Sequence, residues 1–212
     1  MQKSGFTLVE MMVALSVAAL ISGVILADFG KFRTVLALSR EAGVLGLTVR
    51  KAQQYAVAVR RFEGDGDPSA CEAAGSLRSE SEFPAYGVTF SLDDTSSRGK
   101  YGLYADPNCN RIAGDYANDL IENIKLGNGI QVDEICTNID SPADIDCEFT
   151  AFTAWYLRQG TGSRDTMVLS FQKGTGEPIQ RSNAKIILTA PDLSRKSVII
   201  RTTGQISIQN EK

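Results

Sequence analysis

The sequence predicts an α+β chain, one long N-terminal helix packed on a mostly antiparallel sheet, and three observations predict it. Residues Phe6 to Ala27 form an apolar run of 22 residues in which Glu10 is the only charged member. Beyond it, Val35, Leu38, Ala42, Leu45, Val49, Ala52, Ala56 and Val59 recur at alternating spacings of 3 and 4, the period of one helix face. From Tyr86 onward the period falls to 2, and β-branched and aromatic residues gather in short runs bounded by turn residues.

The first run, 6–27, is long enough as a helix of roughly 30 Å to span a hydrocarbon core. A carboxylate inside lipid is expensive and asks for a partner, so Glu10 stands out as a functional residue. The second stretch, 28–61, continues the helix as an amphipathic half, with Arg40, Glu41, Arg50 and Lys51 between the seam positions. Gly30, Gly43 and Gly46 each cost about 1 kcal/mol against alanine in a helix interior, which makes this the natural place for bending or unwinding. The helix is expected to end at Arg60–Arg61, where the breaker cluster Glu63-Gly64-Asp65-Gly66-Asp67-Pro68 begins.

Residues 62–212 read as one β-rich domain. The expected strands are Tyr86–Leu92, Lys100–Ala105, Ile121–Leu126, Ile130–Cys136, Ala151–Leu157, Met167–Lys173, Lys185–Thr189, Ser197–Thr202 and Gln205–Gln209. Gly127-Asn128-Gly129, Gly174-Thr175-Gly176 and Thr203-Gly204 are short links of the hairpin kind. Ser76–Glu82 and Asp93–Gly99 are expected to be flexible loops. The pair Trp155-Tyr156, in an apolar strand, reads as core.

Composition narrows the function. A net charge of −3 provides no bulk basic field for nucleic acid. Histidine is absent, which removes the commonest general base and metal ligand, and there is no phosphate loop or serine elbow. Catalysis is therefore not expected. Four cysteines, without C-x-x-C spacing, allow three disulfide pairings that sequence does not separate. Our expectation is Cys136 with Cys147, closing a short loop around Ser141-Pro142, and Cys71 with Cys109, the alternative being free buried thiols. Asp106, Asn108, Asn110 and Asp115 place oxygen side chains at alternate positions as in a calcium loop, but Arg111 stands where such a loop has glycine and Ala117 where it has glutamate. An Asx-rich turn explains the same residues.

The segment Gly5-Phe6-Thr7-Leu8-Val9-Glu10, followed by the apolar helix, resembles the class III leader of type IV prepilins and type II secretion pseudopilins. The resemblance implies a pilin-like fold, a leader at 1–5, and a prepilin peptidase that cuts after Gly5 and methylates the new amine of Phe6. It implies that Glu10 pairs with the N-terminus of a neighbouring subunit. The partners it implies are the peptidase, other pilin or pseudopilin subunits, the membrane and an inner-membrane assembly platform. The chain would wait in the inner membrane by a single pass, its domain outside the cytoplasm, and then enter a filament. An ordinary signal peptide, with Lys3 as its basic region and a cut near Ala19 or Ala27, and a plain one-pass anchor are the competing readings, and neither accounts for Glu10.

The closing stretch Ser197 to Ile208 resembles the terminal hairpin of GspH/FimT-type minor pseudopilins. Some FimT-like subunits bind DNA through arginines there. Here Arg201 is the only basic residue close to the turn, with Arg195 and Lys196 further back, so nucleic acid is not an expected partner. A filament-displayed binding module for DNA or a surface, or a secreted domain with an ordinary signal peptide, are the alternatives to a structural subunit.

Overall fold

The computed structural model describes residues 7–58, 61–62, 64, 66–73, 82–93, 95–110, 112–114, 118–139, 145–147, 151–156, 168–171, 178–181, 183–201 and 204–211. It shows a long N-terminal helix packed on antiparallel sheets, a pilin-like α+β arrangement. Helix α1 runs Leu8–Val57, 50 residues and about 75 Å at 1.5 Å per residue. It passes through Gly30, Gly43 and Gly46 without a break, so the expected unwinding is absent from the helix as it stands. It stops four residues short of the expected end. Phe62 is drawn into the core, and its N–H donates to the Glu82 carbonyl at 2.7 Å, which takes the chain off the helix axis.

Two short helices occupy segments expected to be loops. Helix α2, Pro68–Ala73, starts where the breaker cluster ends. Asp67 Oδ1 accepts from the N–H groups of Ser69 and Ala70 at 3.0 and 2.9 Å, and proline fills the first helical position, where no N–H is needed. Helix α3, Thr95–Arg98, is a single turn inside the expected loop Asp93–Gly99. Most of Ser76–Glu82 lies outside the described residues.

Among the described residues ten strands form two sheets where one was expected. The strands are β1 Ala85–Ser91, β2 Lys100–Asp106, β3 Leu120–Lys125, β4 Gln131–Thr137, β5 Ala151–Tyr156, β6 Val168–Phe171, β7 Pro178–Arg181, β8 Asn183–Thr189, β9 Arg195–Arg201 and β10 Ile206–Asn210. The first sheet has the order β3-β2-β1-β5-β6-β7 and the second β10-β9-β8-β4, and every paired neighbour is antiparallel. The chain crosses between sheets at Gly127-Asn128-Gly129. Asn128 and Gly129 have φ of 56° and 70°, and Ile130 N–H donates to the Gly127 carbonyl at 3.0 Å. That is the tight turn the sequence predicts, but it joins β3 to β4 across sheets instead of closing a hairpin. Strands β6 and β7 pair antiparallel, as do β9 and β10; Gly174-Thr175-Gly176 and Thr203 of the expected hairpin links lie outside the described residues. Strand β7 was not expected: its four residues include Pro178, and it lies at a sheet edge, the place where proline is tolerated.

The seam of α1 lies across both sheets and closes one core. Leu38, Ala42, Leu45, Val49, Ala52 and Ala56 are buried against Tyr86, Val88 and Phe90 of β1, Phe152 of β5, and Ile186, Val198 and Ile200 of β8 and β9. Val35, counted in the seam, is 40% exposed, and Val59 lies outside the described residues. Trp155 and Tyr156 are core, as expected, but on opposite faces: Tyr156 joins the main cluster and Trp155 a small one with Ala85 behind the first sheet. Trp155 lies over Gly87, its cross-strand partner, where a Cβ would come within 2.5 Å of the indole.

Candidate functional site

The first described turn of α1 is built around Glu10. Thr7 is the N-cap, and its Oγ1 accepts from Glu10 N–H at 3.3 Å. Glu10 Oε2 accepts from both the N–H and the hydroxyl of Thr7, each at 2.9 Å. This is a reciprocal capping box, and it satisfies two of the donors that a helix start leaves open. The signal was legible as T-x-x-E before an apolar run, and a reading centred on membrane burial passed over it. The box aims the carboxylate back toward the chain start. Gly5 and Phe6, the cleavage and methylation positions expected from sequence, lie outside the described residues.

From this turn onward the helix surface is apolar and uncovered. Leu8 is 76% exposed and Leu20 71%, and Met11, Met12, Val13, Leu15, Val17, Ile21 and Ile25 are exposed on all sides of the helix. Among the described residues no helix is long and apolar enough to cross a membrane.

Two disulfides tie the domain, Cys71–Cys109 and Cys136–Cys147, the pairing expected. By loop-closure entropy the sequence separations of 38 and 11 correspond to about 4 and about 3 kcal/mol. The first staples α2 to the turn after β2, where Asp67 N–H also donates to the Pro107 carbonyl at 3.1 Å. Cys109 sits at φ 61° in that turn.

The calcium-like loop falls on the same turn. Asp106 is fully buried, Asn110 Oδ1 accepts from Ile112 N–H at 2.8 Å, and Gly114 N–H donates to Asp119 Oδ2 at 2.6 Å. The Asn110 bond is an Asx turn, while Asp119 is not one of the four candidate residues. Asn108 belongs to the same turn, and Asp115 lies outside the described residues. Glu134 gathers with Cys136 and Cys147, but both sulfurs are spent in the disulfide and are not thiolate ligands.

At the other candidate patch, Arg195 of β9 is ion-paired with Asp133 of β4, the edge strand of the same sheet, and Arg201 has partners of its own. The β9–β10 turn instead docks on the helix, where Gln53 Nε2 donates to the Gly204 carbonyl at 3.0 Å. Between helix and sheet, Tyr101 of β2 buries its hydroxyl near Thr48. Among the described residues that hydroxyl has no hydrogen bond of good geometry. Burial pushes the phenol up to about 12; Thr48 opposes this, and the charges of Glu41 and Glu122 add to it.

Residues 1–26 match the family model of the prokaryotic N-terminal methylation motif, which is typical of type IV pilins and pseudopilins and implies processing by a prepilin peptidase. No curated protein matches the chain, and no solved structure does.

Proposed function

We propose that this chain is a structural subunit, of the minor pilin or pseudopilin kind, of a type IV pilus or type II secretion filament. One juxtaposition supports the reading: a methylation motif continues directly into a helix half that is apolar on every side and has no cover, while the other half of the same helix carries the domain. The apolar half would rest in the inner membrane and then exchange lipid for the helices of other subunits. Glu10 would meet the methylated amine of a neighbour's Phe6, and the capping box presents its carboxylate at the end of the helix where that amine would arrive. The two disulfides suit a domain outside the cytoplasm.

Mass spectrometry of the protein from its native membrane should find N-methylated Phe6 as the first residue. A mature start near Ala19 or Ala27 would replace this reading with an ordinary export signal. Glu10→Ala should leave cleavage intact and sharply reduce incorporation into filaments, measured by immunoblot of sheared filament fractions; undiminished incorporation would remove the role given to Glu10.

A further inference from the structure

Two turns of the β-domain stand level with the helix just where the apolar run ends. Pro191 of the β8–β9 turn and Asn128 of the sheet-crossing turn line one cleft with Gly30, Arg33, Thr34 and Arg40 of α1, a volume of about 530 Å³. Gly129 and Pro191 hold the turns together, since a Cβ on Gly129 would come within 3.0 Å of the Pro191 ring. No carboxylate is among the described residues lining the cleft. Asp192 stands beside it, committed to Ser194, which is the main cause of its lowered pKa, with the Lys31 charge a lesser one.

Position decides what this cleft meets. Gly30 and Arg33 follow Ala27 by three and six residues, about 5 and 9 Å along the helix. The headgroup layer is roughly 5–8 Å deep on each side of the hydrocarbon core. Side chains on a helix lean toward its N-terminus, so Arg33 leans back toward that layer, whereas Arg40, about 20 Å beyond Ala27, stands clear of it. Apolar surface does not stop at the boundary either: Phe29, Phe32 and Leu36 are exposed, and Leu193, at the tip of the β8–β9 turn with φ 66°, is 81% exposed.

Resting on the reading of 6–27 as a membrane anchor, we infer that this end of the domain is a foot on the outer face of the bilayer, in which Arg33 takes the phosphate of an anionic phospholipid and Leu193 enters the interface. The foot fixes the domain against the membrane before assembly and has to be released when the subunit leaves lipid.

The test uses the full chain in vesicles, with Leu193→Cys carrying an environment-sensitive nitrobenzoxadiazole label; the four native cysteines are paired, so the new thiol is the one labelled. Gln205→Cys, at the far end of the domain beside Gln53, is the reference position. In vesicles of phosphatidylcholine with phosphatidylglycerol the label at 193 should shift to the blue and brighten, and the label at 205 should not. Arg33→Gln, at an exposed position, should lower the footed fraction about five-fold, and added salt should do the same, whereas Arg40→Gln, also exposed but beyond the headgroup layer, should leave it unchanged. An aqueous spectrum at 193 in chain that floats with the vesicles overturns the foot and leaves the anchor standing. An equal response in phosphatidylcholine alone overturns the phosphate site, and a shift produced by added copies in detergent assigns the cleft to another subunit. Chain that does not float with vesicles overturns the anchor, and the foot with it.

Discussion

The two halves of α1 are made of the same residue types and have opposite fates. From Leu38 to Ala56 one stripe of six apolar residues is buried and the remaining surface is mixed. From Leu8 to Ile25 the apolar residues face every direction and stay exposed. A helix with one apolar stripe needs one partner, and the chain provides it in the two sheets; a helix apolar all round needs to be surrounded, which a single domain at one end does not do. The difference therefore divides the molecule into a half stabilised from within and a half whose burial has to come from outside the chain.

That division predicts its largest effect from a pair of leucines. Leu45 is wholly buried between the sheets, so Leu45→Ala should cost about 2–5 kcal/mol in urea denaturation of the domain. Leu15 is 66% exposed, and Leu15→Ala should stay within about 0.5 kcal/mol in the same measurement. Its loss should be read in the filament fraction instead. Equal destabilisation by the two would mean that the first half packs on the domain after all.

Alkaline pH should separate the halves as well. Tyr101 lies against Thr48 in the buried half, and its folded pKa of about 12 stands above the ordinary value of 10.0. The neutral phenol is the form the fold holds, so its share of the stability is complete below about pH 10 and is lost as pH climbs through about 12. Two units correspond to roughly 2–3 kcal/mol. Tyr156, also buried, is shifted in the same direction and for the same first reason. Denaturation between pH 9 and 12 should show domain stability falling late, and Tyr101→Phe should flatten that fall while leaving stability at pH 7 nearly unchanged. The helicity of 8–27 in micelles should not follow pH over this range. A fall that Tyr101→Phe does not alter would place the alkaline weakness elsewhere.

Much of this division could be read from spacing. The seam at 3 and 4 placed six of its seven described residues in the core, and the lone Glu10 marked the start of the other half. Period-2 runs located nine of the ten described strands, because a strand with a face toward a core favours β-branched and aromatic residues. What escaped has physical reasons. Sheet membership depends on pairing far along the chain: Val132 pairs with Leu188, and nothing near Gly127-Asn128-Gly129 records that β4 will pair with β8 and not with β3. Asp67-Pro68 was read as a stop when it is a helix start, since the same two residues serve both ends of a break. At the candidate site the carboxylate was found but its local partner was not. Thr7 and Glu10 satisfy each other within one turn, and a reading that looked for a distant partner missed the near one.

The smallest expected effect tests whether the glycines belong to the fold or to assembly. Gly43 lies inside the buried half, yet a Cβ built there meets nothing within 4 Å, so no packing requires glycine. Gly43→Ala should therefore stabilise the domain by up to about 1 kcal/mol through helix propensity alone. Gly23, in the exposed half, is equally open, and Gly23→Ala should leave urea denaturation of the domain unchanged, because the domain does not include that turn. If Gly43→Ala strengthens the domain but lowers the filament fraction, the helix bends at that position during assembly; if it strengthens both, position 43 is merely tolerated and the helix enters the filament as straight as it stands here.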